Sequence, residues 1–183
     1  MRGWAVVGLG LLGMGFAQGC SDRLADMQGQ MAGIWVLESR QLPDGSLHRP
    51  PGISGALSWV PIDSRKAHVT LNLIVDAQGD SPRTFNYAAS TYEISTSAIT
   101  RKRYLLVRQG YRSSAASPMT VYSRAKAAKG KISEREDGSI EVSHSIEDGA
   151  VGDSHKKRTW VFKGDTLVSS YTDVYIDTWK RMQ

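Results

Sequence analysis

The side chains of this sequence that could do chemistry are few and scattered. There is one cysteine, Cys20, and four histidines, His48, His68, His144 and His155. A zinc site needs several Cys, His or carboxylate ligands converging on one ion, and such sites often show themselves as short ligand spacings. No histidine here has a partner at that spacing, so each reads as a surface or strand residue and no metal is expected. Gly52-Ile53-Ser54-Gly55 holds a serine between glycines but lacks the second half of a nucleophile elbow. Asp148 and Asp153 lie in a polar stretch that could hold a cation, although a solvated acidic turn is the simpler reading. Neither an enzyme nor a cofactor is expected.

Cys20 is set apart by what precedes it. Met1-Arg2-Gly3 carries one positive charge, and Trp4 to Ala17 is apolar or Gly throughout. This run is shorter than the roughly 20 residues a helix needs to cross a bilayer. A charged start, a short apolar core and a small-residue exit describe a secretory signal peptide. Two cleavage readings fit the exit Ala17-Gln18-Gly19-Cys20. Small residues at Ala17 and Gly19 suit ordinary signal peptidase. The same residues before a cysteine resemble a bacterial lipobox, in which the thiol receives a diacylglycerol and becomes the first residue. A single exported cysteine has no intramolecular disulfide partner, which favours the lipid anchor. Ser21 follows where Asp would resemble an inner-membrane signal, so the expected address is the cell envelope, at the outer membrane. The expected divisions are 1–19 signal peptide, 20–32 lipidated Cys and tether, and 33–183 one folded domain. Within the tether Leu24, Met27 and Met31 fall at helical spacing, so it is either one or two helical turns or a flexible linker.

The whole chain carries a formal charge of +5, and the first 19 residues contain one charged side chain, Arg2. A mildly basic exported domain is a poor candidate for a nucleic-acid partner. Arg101-Lys102-Arg103 and Lys156-Lys157-Arg158 read as solvated charge runs that could face anionic headgroups.

From Gly33 onward the pattern becomes period two and β-branched. Candidate strands are Ile34 to Gln41, Ile53 to Val60, Lys66 to Asp76, Thr84 to Tyr87, Ser90 to Ser95 and Ile99 to Arg108. Further on come Lys131 to Arg135, Ser139 to Ile146, Lys157 to Phe162, Thr166 to Tyr171 and Val174 to Arg181. Asp44-Gly45, Asp137-Gly138 and Gly164-Asp165 supply the turns. Gly110 to Ser117 reads as a loop. Pro118 to Gly130 is weighed between a strand at Thr120-Val121-Tyr122 and a short helix over Ala125 to Lys129, with the helix preferred on propensity. The fold class is therefore all-β, a small antiparallel up-and-down barrel with room for one short helix.

Gly33-Ile34-Trp35-Val36-Leu37-Glu38-Ser39, followed by Asp44-Gly45 and Gly55-Ala56-Leu57, resembles the start of bacterial lipocalin-like domains. Phe162-Lys163-Gly164-Asp165-Thr166-Leu167 through Trp179-Lys180-Arg181 resembles their last two strands. The resemblance covers both ends of the domain, and the stretch after Pro118 departs from a plain eight-strand pattern. It implies that Gly33, Trp35 and Arg181 close one end of the barrel, with the tryptophan as plug and the late cation across it. An aromatic at the start of a strand can fill a barrel end, and a guanidinium can stack on its face.

Val69, Leu71, Leu73 and Val75 alternate with His68, Thr70, Asn72 and Ile74, giving the clearest two-faced strand. A barrel turns that apolar face inward. Phe85, Tyr87, Tyr104 and Leu106 on neighbouring strands are the expected additions to a pocket wall. The expected function is binding or carriage of a small apolar molecule, such as an acyl chain, in the envelope, with the membrane reached through the acyl anchor on Cys20. The alternative is a barrel filled by its own side chains that serves as a non-enzymatic interaction or structural module.

Overall fold

The computed structural model describes residues 15–76, 83–96, 103–114, 127–144 and 157–183; side chains are described from Arg23 onward, except those of 104–114, 127–129 and 144. A helix, α1 (Gly15–Met31), precedes the strands β1 (Gly33–Gln41), β2 (Leu47–His48), β3 (Ile53–Pro61), β4 (Lys66–Val75), β5 (Thr84–Thr96) and β6 (Arg103–Ser114). The chain continues through β7 (Ala127–Glu134), β8 (Ile140–His144), β9 (Arg158–Lys163), β10 (Thr166–Tyr171) and β11 (Tyr175–Arg181).

All these strands join one antiparallel sheet in which sequence neighbours pair. The two-residue β2 is a flap on β1, so β1 also pairs with β3, and β11 returns to pair with β1. Among the described residues ten strands thus make a nearly closed up-and-down barrel, and its β1–β11 ladder leaves neither of these terminal strands as an open edge. This is the expected all-β class, with ten strands in the ring where the resemblance implies eight.

Three local readings change. The two short strands expected over 84–95 are one, β5. The loop expected from Gly110 is strand as far as Ser114, with Gly110 left out of the β5–β6 register as a bulge. Ala127 to Lys129, expected to be helical, belong to β7 and pair with Arg108, Val107 and Leu106. Helix propensity spans only a few tenths of a kcal/mol per residue among such side chains, and a completed ladder outweighs it. The rest of that stretch, 115–126, lies outside the described residues, as do the first 14 residues, Arg101, Lys102, Asp148, Asp153 and His155.

The two ends of the barrel differ. At one end β1, β4, β6, β8 and β10 begin and β3, β5, β7, β9 and β11 finish. α1 lies across this end. Its Arg23 pairs with Glu134 of β7, Met27 Sδ accepts from Arg103 of β6, and Gln28 Oε1 accepts from Trp59 Nε1 of β3 at 2.7 Å. Leu24, Met27 and Met31 are buried, so the helical spacing read in the tether is the face that covers the barrel. The helix also runs back through Cys20 to Gly15, across the bond expected to be cleaved.

Beneath α1 the interior is filled. Trp35, Trp59, Phe162, Trp160 and Tyr92 form an aromatic cluster, with edge contacts of 5.5 Å between the centroids of Trp35 and Phe162 and 5.6 Å between those of Trp59 and Phe162. Tyr92 stacks on Trp160 at 5.6 Å. Such pairs add roughly 0.5–1.5 kcal/mol each beyond the area they bury. Gly55 lets β4 and β11 pack close on β3. A Cβ there would stand 2.9 Å from the Asn72 carbonyl oxygen and 3.4 Å from the Trp179 ring. Outward positions include the polar His68, Asn72, Lys163 and Lys180 and the exposed apolar Ile34, Val36, Val60 and Ile176.

Candidate functional site

Trp35 and Arg181 meet directly across the β1–β11 ladder. Trp35 is fully buried, and its Nε1 donates to the Met31 carbonyl at 3.1 Å. The Arg181 guanidinium carbon lies 4.5 Å from the centre of the Trp35 ring. Its two terminal nitrogens donate to the Ala32 carbonyl at 2.9 Å, the Gln30 carbonyl at 2.5 Å and the Gly164 carbonyl at 3.2 Å. The carbonyls that end α1 would otherwise lack partners, and a cation there also suits the helix dipole. Gly33 sits beside this arginine at φ 133°, a backbone conformation that side chains resist. Gly33, Trp35 and Arg181 therefore share one end of the barrel and lock helix, first strand and last strand together.

The opposite half of the barrel contains a cavity of ≈ 240 Å³. Val69, Leu71 and Leu73 form its β4 wall, while Trp160 and Tyr92 roof the filled end below it. The space exists because the inner face of β5 is small. Asn86, Ala88 and Ser90 pair with Leu73, Leu71 and Val69, so the β5 positions opposite these three carry small or polar side chains. Tyr171, Val174 and Tyr175 stand around the cavity on the β10–β11 side.

The expected pocket residues divide. Val69, Leu71 and Leu73 line the cavity. Val75 shares their face of β4, packed on the core opposite Ile53. Phe85 does not join them: it is 46% exposed, pairs with Ile74, and carries the Arg83 guanidinium over its ring at 5.0 Å. Tyr87 borders the cavity although its pairing partner Asn72 belongs to the outer face. Tyr104 and Leu106 pair with Ser95 and Glu93, which alternate with the buried Ile94 and Tyr92. The side chains of Tyr104 and Leu106 themselves lie outside those described.

Sequence reasoning missed the polar groups of the cavity. Arg158, read as part of a solvated charge run, is on the inner face of β9 with Trp160 and Phe162; the period-two alternation of these three was the available signal. Its Nε is buried without a hydrogen-bond partner among the described residues, and its guanidinium carbon stands 5.0 Å from the centre of the Tyr171 ring. Arg40 is inward because Glu38 is bulged out. The register jumps from Leu37↔Trp179 to Ser39↔Thr178, which inverts the alternation and sets Arg40 opposite Asp177. The two form a bidentate pair, with Nε and Nη2 donating at 2.6 and 2.7 Å, and Arg40 also lies 3.9 Å above the Tyr175 ring. Burial pushes the Asp177 carboxyl above the ordinary carboxylate range, against the pull of Arg40. Burial likewise raises the Tyr92 hydroxyl, with Arg158 opposing, so Tyr92 stays neutral at physiological pH.

A larger groove of ≈ 620 Å³ runs between α1 and the closed end, bordered by Arg23, Asp26, Glu134, Asp165 and Arg181. It is wide and open to solvent, and its charges are paired across it, Arg23 with Glu134 and Arg181 with Asp165. The barrel cavity is the better ligand site, being more enclosed and lined by inward apolar groups with a few polar ones. No cluster of three His, Cys, Asp or Glu suited to a metal ion occurs among the described residues.

Fold and cavity together define a small antiparallel β-barrel, consistent with a lipocalin-like architecture. No protein-family model, curated protein or solved structure matches the chain with statistical significance.

Proposed function

We propose that this protein is a lipocalin-like envelope lipoprotein that binds or carries a small, mainly apolar molecule in the open half of its barrel. The observation that supports this most is the cavity between Val69, Leu71 and Leu73 and the small β5 side chains. Its ≈ 240 Å³ is just below the usual range of small-molecule pockets, roughly 300–1,000 Å³, so the ligand is small. The lower half, filled by tryptophans, serves as a floor.

Leu71→Trp tests this reading. In a binding cavity the indole takes up spare volume, so affinity for an apolar fluorescent dye should fall while the denaturant midpoint hardly moves. In a filled core the same change would overpack the interior and cost roughly 1–3 kcal/mol. Absence of dye binding by the wild type, with a clear loss of stability in the variant, would favour the alternative of a filled interaction module. That alternative draws support from Ile34 and Val36, which are exposed on the outer face of β1.

Attachment is the second part of the reading. A diacyl anchor on Cys20 has two chains, which suffices for stable membrane attachment. Full-length protein should fractionate with membranes, and Cys20→Ala should release or misprocess it. A mature N-terminus with an unmodified Cys20 by mass spectrometry would contradict the anchor.

A further inference from the structure

The polar groups of the cavity carry a net sign. Among the described residues of its half of the barrel, Asp177 is the acidic group on the inner face, and Arg40 already binds it in a bidentate pair. Arg158 has no carboxylate partner among the described residues, and its Nε is withdrawn from water without a hydrogen bond. A guanidinium nitrogen withdrawn from water without a hydrogen-bond partner is costly, and an anion facing the group would offset part of that cost. Nearby, Ser90, Tyr171 and Tyr175 border the cavity and can supply neutral hydrogen bonds, but no compensating charge.

Resting on the carrier reading, we infer that the ligand is a small amphipathic acid, its carboxylate held by Arg158 and its apolar body against Val69, Leu71 and Leu73. The guanidinium fork matches a carboxylate in shape and can donate two parallel hydrogen bonds. The aromatic faces of Tyr171 and Trp160 border the space where head and body would join. The cavity volume limits the body: ≈ 240 Å³ corresponds to about eight waters at roughly 30 Å³ each, enough for a short chain or a single ring.

The test is calorimetric titration of the purified acyl-free domain with octanoate and with 1-octanol, which share a chain and differ in charge. Wild type should bind octanoate about tenfold or more tightly than octanol. Arg158→Met should abolish that preference while octanol affinity stays within about threefold of wild type, and Arg158→Lys should retain part of it. Equal wild-type affinity for the two probes would overturn the acid inference and leave the cavity as an apolar site. Binding of neither probe would overturn the inference and the carrier reading together. A preference for octanoate that survives unchanged in a folded Arg158→Met protein would remove Arg158 from the site.

Discussion

Trp35→Ala should lower the unfolding free energy by about 3–5 kcal/mol, the range for truncating a large buried aromatic. The loss is large because three structures rest on this ring: its edge meets Phe162, its Nε1 holds the last carbonyl of α1, and Arg181 covers its face. Arg181→Ala should cost roughly 0.5–2 kcal/mol through the lost cation–π contact. Because the two residues share one contact, the double variant should be less destabilised than the sum of the single ones. Denaturant midpoints for the four proteins measure this, and strict additivity would mean that ring and guanidinium do not interact.

Arg40→Met should be comparably damaging at neutral pH, by roughly 3–5 kcal/mol, because it leaves Asp177 as a buried carboxylate without its cation. Its pH dependence has a definite sign. The folded-state value for Asp177 is already raised by burial, and loss of Arg40 removes what opposes the rise. Between the ordinary carboxylate value and the raised one, the folded state holds the proton more tightly than the unfolded state. Stability from this group is therefore greatest at acid pH and falls as pH rises through that window. The defect of Arg40→Met should be smaller at pH 5 than at pH 8. A defect independent of pH would mean that the guanidinium acts through packing on Tyr175 and not through Asp177.

How legible the fold was depended on how locally each part is specified. The β4 pattern was plain because one strand face meets the core and the other meets water, so alternation is written in residue type. The turns at Gly45, Gly138 and Gly164 were plain because each adopts a positive φ that glycine takes without strain. β7 was obscured because Ala127 to Lys129 have helix-favouring side chains, and only pairing with β6, about twenty residues away, makes them strand. The cavity was harder still. Bulky Phe85 looked like natural lining, yet the β5 side of the cavity is also built by Asn86, Ala88 and Ser90, which carry no hydrophobic signal. Arg40 could not have been placed from alternation at all, since the bulge at Glu38 is visible only in the pairing of β1 with β11.

The most direct measurement is native mass spectrometry of the acyl-free domain after gentle extraction from its host. A binding barrel of this kind should carry a co-purifying small organic mass, ionising as an acid, that is lost in the Leu71→Trp variant. Bare protein alone, unable to take up octanoate or an apolar dye when these are supplied, would contradict the carrier function.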